Sequence, residues 1–123
     1  MQSSSVLLLQ GDSRIARSIV ACLRNSFTSV REERSMGELR NSLAKHRATV
    51  AILDMELASI SDVENLSHDF PEVCVVCTHR LADEAMWSSA LNAGAADVCP
   101  SHDTRAILDT ALRGVSKARS FAA

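Results

Sequence analysis

The most constraining feature of the sequence is a regular alternation. Short apolar runs of strand length are followed, five times over, by segments with helical periodicity. Ser5 to Leu9 is a continuous apolar run, and Asp12 or Ser13 can cap the helix after it, with Ile15, Ile19, Cys22 and Leu23 at helical spacing. Phe27 to Val30 is a weaker second strand. Ser35, with Glu38 three residues on, has a capping-box pattern ahead of Met36, Leu39 and Leu43. Thr49 to Leu53 is a strand ending at Asp54, and Ser61 to Phe70 a short helix stopped by Pro71. Val73 to Cys77 is the most β-rich run. Asp83 to Ala93 is a helix closed by Gly94, a residue suited to the helix C-cap. Ala96 to Cys99 is a short strand, and Asp103 caps a last helix with Ile107, Leu108, Ala111, Leu112 and Val115 on one face.

Three of these strands are apolar on both faces, as a parallel sheet covered by helices on each side requires. Right-handed crossovers then give an α/β fold, a doubly wound sheet in three layers. With 123 residues the chain is one domain long. A chain of this size buries about two thirds of its unfolded surface and needs no staples. Residues 1–116 are expected to form the domain, and 117–123 a fraying helix end or the start of a linker.

Composition removes several classes of function. Aromatic residues make up 3% of the chain and Tyr is absent, so stacking platforms for nucleic acid are lacking. The net charge is −2, so the whole molecule is not a polyanion binder. The run Val6 to Leu9 is too short to span a membrane and has no basic residue before it, unlike a signal peptide. The four Cys lie on apolar segments without a framework spacing, which points to a reduced, cytoplasmic protein. Charge is uneven: residues 1–50 hold eight Lys/Arg and four Asp/Glu, residues 51–100 one Arg and nine acids. That asymmetry reads either as ordinary solvated faces or as a dipolar surface that steers an acidic partner.

Ligands of doubly wound sheets sit beyond the carboxyl ends of the strands. Asp54 directly follows Leu53, Thr78 directly follows Cys77, and Asp12 lies three residues after Leu9. Each has an ordinary alternative: a capping Asp, a strand-end hydroxyl bonding backbone, a helix N-cap. Their joint placement at three strand ends raises the functional reading.

At this point the chain resembles, over nearly its whole length, a receiver domain of a two-component response regulator. The resemblance is carried by Leu-Leu-Leu-Gln-Gly-Asp-Ser-Arg-Ile-Ala-Arg after the first strand, by Val-Ala-Ile-Leu-Asp ending at Asp54, by Val-Cys-Val-Val-Cys-Thr ending at Thr78, and by Asn92-Ala93-Gly94-Ala95-Ala96-Asp97. It implies a five-stranded parallel sheet of order 2-1-3-4-5, the order that general fold rules give for this family. It further implies phosphoryl transfer: Asp54 as phosphoacceptor, Thr78 contacting the phosphoryl group, Mg²⁺ held by acids after the first strand, and a lysine near the end of the fifth strand. The partner would be a histidine kinase or a phosphotransfer protein. The chain would not be an enzyme, beyond phosphorylating itself on Asp54.

Several positions depart from the family pattern. The acidic pair falls on Gln10 and Gly11, leaving only Asp12 acidic, and the lysine position falls on Ser101. Asp12, Asp54 and Glu56 are then the carboxylates left for a weak Mg²⁺ site, or Glu56 is an ordinary exposed glutamate. Val98 replaces the usual aromatic, His102 the usual Pro, and His79 the small residue after Thr78. The loop after Asp54 lacks its Pro and Gly. The resemblance therefore points to a weak or degenerate member. The alternative is a pseudo-receiver, an interaction module that does not switch by phosphate. A small flavodoxin-like ligand-binding domain ranks below both, since none of the four Gly forms G-x-G.

Cys77, His79, Cys99 and His102 lie near the ends of two neighbouring strands, and such N and S ligands could hold zinc. Buried Cys is more often a small hydrophobe. Cys74 and Cys77 are not a redox pair, because residues i and i+3 of a strand face opposite ways. In the fourth helix Ala82, Met86, Ala90 and Ala93 form a core stripe, with Trp87 and Leu91 at its edge. The resemblance makes the face of fourth helix, fifth strand and fifth helix, centred on Trp87, the expected surface for a second copy or an output partner. Direct nucleic-acid or membrane contacts are not expected.

Overall fold

The computed structural model describes residues 4–122, with side chains up to Ser116. The elements are β1 (Ser5–Leu9), α1 (Ser13–Leu23), β2 (Ser29–Glu33), α2 (Met36–Lys45), β3 (Val50–Asp54), α3 (Ile60–Asp69), β4 (Cys74–His79), α4 (Glu84–Ala93), β5 (Asp97–Pro100) and α5 (Thr104–Ala122). The five strands form one parallel sheet of order β2-β1-β3-β4-β5, as the alternation and the resemblance together imply.

The two-residue period of each strand sorts its side chains into two cores. Leu7, Leu9, Ala51, Leu53, Val75 and Cys77 face one layer, where Leu39, Leu43, Val63, Leu66, Ala90 and Ala93 of α2, α3 and α4 cover them. Val6, Leu8, Val50, Ile52 and Val76 face the other layer, under Ala16, Ile19 and Leu23 of α1 and Ile107, Ala111 and Val115 of α5. Each fully buried Leu or Ile contributes about 1.5–3 kcal/mol of transfer free energy. Every central strand is therefore pinned from both sides.

Helix ends follow their capping residues. Asp12, not Ser13, is the N-cap of α1, and its carboxylate accepts from the Arg14 and Ile15 backbone N–H groups. Ser35 accepts from the Glu38 N–H at the start of α2. A reciprocal capping box forms at α3, where Ser59 and Asp62 exchange side-chain and backbone bonds. Asp83 caps α4, and Gly94 closes it with φ of 115°, a left-handed conformation that favours glycine. At α5, Gly114 lets the helix approach the sheet: a Cβ there would collide with the Cys74 sulfur.

Several sequence expectations shift. The second strand begins at Ser29 rather than Phe27 and ends at Glu33, because pairing of Ser29–Glu33 with Ser5–Leu9 sets its register. Phe27 instead anchors the turn before it, in the core beside α1. β3 and β4 run past their apolar runs to Asp54 and His79, because the ladder continues through Asp54 opposite Thr78. α3 starts at Ile60 rather than Ser61, following its cap. Ala82 precedes α4 instead of lying in it. Leu112 is 39% exposed, not on the buried face of α5; the buried row is Ile107, Ala111 and Val115, four residues apart. The backbone of α5 continues to Ala122, while the side chains of the expected tail, 117–123, fall outside the described residues. Among the described residues no helix is long and apolar enough to cross a membrane.

Candidate functional site

β1, β3 and β4 end side by side, so Gln10, Asp54 and Thr78 are delivered to one edge of the sheet. Asp54 is 2% exposed although it is the last residue of its strand. Its carboxylate is oriented by backbone on two sides. Oδ2 accepts from the Gly11 N–H at 3.0 Å, and Oδ1 accepts from the Glu56 N–H at 2.9 Å. Gly11 brings its backbone close: a Cβ there would sit 3.4 Å from both Asp54 Oδ2 and the Leu57 side chain. Thr78, fully buried, stands opposite Asp54 in the ladder, and its carbonyl accepts from the Met55 N–H at 2.8 Å. The Thr78 hydroxyl makes only a long contact, 3.5 Å, to the Leu53 carbonyl, so it is weakly engaged.

The remaining expected site residues have other partners. Asp12 caps α1 with Oδ1, and its N–H donates to Gln10 Oε1 at 3.0 Å. Glu56 is gripped by Arg80, whose Nε lies 3.1 and 3.0 Å from the two carboxylate oxygens and whose Nη2 lies 2.7 Å from Oε1. That bonding holds the Glu56 carboxyl below its ordinary range and raises the Arg80 guanidinium above its own. Ser101 is 1% exposed, and its hydroxyl has no hydrogen-bond partner; neither has the buried Nε2 of Gln10.

Mg²⁺ takes near-octahedral oxygen ligands and favours carboxylates. Here the two positions after β1 supply an amide and no side chain, Asp12 serves a helix cap, and Glu56 is neutralised by Arg80. Among the described residues no group of three or more His, Cys, Asp and Glu side chains converges on a point that could hold a metal. Among the described residues Asp12, Asp54 and Glu56 do not gather into one metal-holding group: each is engaged by the protein's own donors, Asp12 at the helix cap, Asp54 by two backbone amides and Glu56 by Arg80. The Cys/His cluster does not assemble either. Cys77 and Cys99 belong to opposite core layers, and His79 Nδ1 accepts from the Leu81 N–H. Burial pushes the Cys77 thiol up to about 12.

Arg80 is the residue that the sequence reading passed over. A signal was present: it is the sole Lys or Arg between residues 51 and 100, two positions after Thr78. Away from this edge, Trp87 is 47% exposed on α4, and its indole N–H donates to Asp97 of β5 at 3.0 Å. Leu91 is half-buried beside it in sequence phase.

The same fold recurs in solved structures of response regulators and their receiver domains. A response regulator from Thermotoga maritima superposes with a TM-score of 0.85 at 14% identity, over 94% of this chain and 99% of that one. A CheY-like receiver domain protein from Methanospirillum hungatei gives 0.82 at 16% identity, over 97% and 98%. The RcsB response regulator of Salmonella typhimurium gives 0.82 at 19% identity; it covers 95% of this chain, which spans only 61% of RcsB. At these identities what is shared is the fold. No family model matches the sequence, and no curated protein does.

Proposed function

We propose that this chain is the receiver module of a two-component response regulator, accepting a phosphoryl group on Asp54 from a histidine kinase or phosphotransfer protein. The observation that supports this best is the Asp54 carboxylate itself, buried at a strand end and oriented by the Gly11 and Glu56 amides, with Thr78 opposite. A carboxylate fixed by two N–H groups is presented in one orientation, and phosphoryl transfer depends mainly on positioning and on charge stabilisation. The Thr78 hydroxyl, only weakly held, is free to turn toward a phosphoryl oxygen. No turnover of an external substrate is implied, and a cytoplasmic setting accompanies this reading. Incubation with a small phosphodonor, followed by intact mass, tests it: the wild type gains one phosphoryl group and Asp54→Asn gains none. Equal gain in both proteins would remove Asp54 from the role.

A second reading is favoured by the atypical charge set, in which Ser101 is neutral and Glu56 is paired. In it the domain binds partners without phosphate, through the face of α4, β5 and α5 around Trp87 and Leu91. A half-exposed Trp is the residue type most enriched among binding hot spots. Unmodified protein that captures its partner as strongly as phosphodonor-treated protein would favour this reading over the first.

A further inference from the structure

Arg80 directly follows β4, the strand that pairs with β3 and sets Thr78 opposite Asp54. Arg80 grips both carboxylate oxygens of Glu56 through Nε and Nη2, and the Glu56 backbone N–H is itself bonded to Asp54 Oδ1. The cation is thus tethered two residues from the buried carboxylate, close enough that Asp12 and Asp54 both contribute to holding its charge. Phosphorylating a carboxylate replaces one negative charge with the two of a phosphoryl dianion, so the pocket becomes more anionic. Neither Gln10, Gly11 and Asp12 directly after β1 nor Ser101 supplies a positive charge to balance this. An exposed carboxylate–guanidinium pair is weak, and the planar fork of Arg matches phosphoryl oxygens in the same two-point way. Exchanging Glu56 for a dianion next to it is therefore downhill in charge. Two neutral donors, Gln10 Nε2 and the Ser101 hydroxyl, are buried without partners after β1 and β5 at the same edge.

We propose that Arg80 is the cation of this site: it leaves Glu56 for the phosphoryl oxygens on Asp54, so that transfer proceeds without a divalent metal ion. The proposal rests on the reading of Asp54 as acceptor. In the step, a carboxylate oxygen of Asp54 forms a bond to phosphorus while the bond from phosphorus to the leaving atom breaks, and the electron pair departs with the leaving group. With phosphoramidate that group is ammonia, its nitrogen already protonated at neutral pH. Arg80 gains and loses no proton. Glu56 serves as a parking position, and its release adds a second change of charge on the surface of the domain.

The test is the rate of modification by phosphoramidate, followed by intact mass in excess EDTA and again with Mg²⁺. The variants are Arg80→Ala, Arg80→Lys, Glu56→Gln and Asp54→Asn. The wild type should be modified in EDTA. Arg80→Ala should slow modification roughly 10- to 100-fold, the loss of one charged hydrogen-bonding partner. Arg80→Lys should recover part of the rate, and Glu56→Gln, which frees Arg80, should react at least as fast as the wild type. Equal rates for wild type and Arg80→Ala, or a wild type modified only with added Mg²⁺, would overturn the proposal while leaving Asp54 as acceptor. No modification of the wild type under either condition would remove the acceptor reading and the proposal together.

Discussion

Asp54 is held by two backbone amides, those of Gly11 and Glu56. A hydrogen bond to a charged group contributes about 1.5–3 kcal/mol, and losing its acceptor leaves buried donors unpaired. Asp54→Ala should therefore lower stability by about 1–3 kcal/mol, read as a reduced urea midpoint at constant m-value, and Asp54→Asn by less. The Glu56–Arg80 pair behaves differently because it is exposed. Its bonding to Arg80 lowers the Glu56 carboxyl below its ordinary 4.5, so its favourable contribution is present above that pH and is lost as pH falls through the lowered value. The acid side of the stability profile should be shallower in Glu56→Gln than in the wild type: the variant is slightly less stable near neutrality and the two curves converge as pH falls through the lowered Glu56 value. A third expectation concerns the thiols. Cys77 and Cys99 are buried and both are raised by desolvation, Cys77 to about 12. A thiol reagent at neutral pH should modify at most Cys22 and Cys74 in the folded protein, and all four on unfolding; rapid reaction of Cys77 would contradict the core assignment.

At the scale of elements, legibility followed burial. β1 was readable to the residue because Val6 to Leu9 are apolar on both faces and nothing competes with that pattern. β2 lies two residues later than its apolar pattern suggests, because an edge strand with Arg31 and Glu32 exposed has little apolar signal; its register comes from β1, which local sequence does not encode. The strand ends at Asp54 and Thr78 were visible as positions, since they terminate the apolar runs of β3 and β4. That is why the candidate acceptor and hydroxyl could be named from sequence. Arg80 could not be, since an exposed charge in a loop has no periodicity; only its isolation in an acidic stretch marked it. Gly114 is a further case, an unremarkable residue in sequence whose missing Cβ sets how closely α5 meets β4. Gly114→Ala should cost about 1–3 kcal/mol by overpacking against Cys74, despite the better helix propensity of Ala. Gain of stability in thermal or urea unfolding would mean that the α5–β4 contact yields easily.

Across the whole molecule, the sheet separates two groups of polar residues. Its carboxyl edge gathers Asp54, Thr78 and the Glu56–Arg80 pair, while α4 and β5 carry Trp87 and Asp97 on the outside. Trp87→Ala should weaken self-association or partner capture, seen as a lower sedimentation coefficient at high concentration; a wild type that stays monomeric alongside an equally monomeric variant would leave Trp87 as a core-edge residue. The apolar patterning explains the fold, but the chemistry depends on a few strand-end residues whose partners are set only when the strands align. The most direct test of the Asp54 site reads the two amides that hold it. In ¹H–¹⁵N spectra, adding phosphoramidate should shift the Gly11 or Glu56 resonance strongly, because forming an acyl phosphate at one carboxylate oxygen weakens the bond it accepts, and the same addition should leave Asp54→Asn unchanged. Gly11 and Glu56 resonances that stay in place in the wild type, or that move equally in Asp54→Asn, would contradict phosphoryl transfer to Asp54.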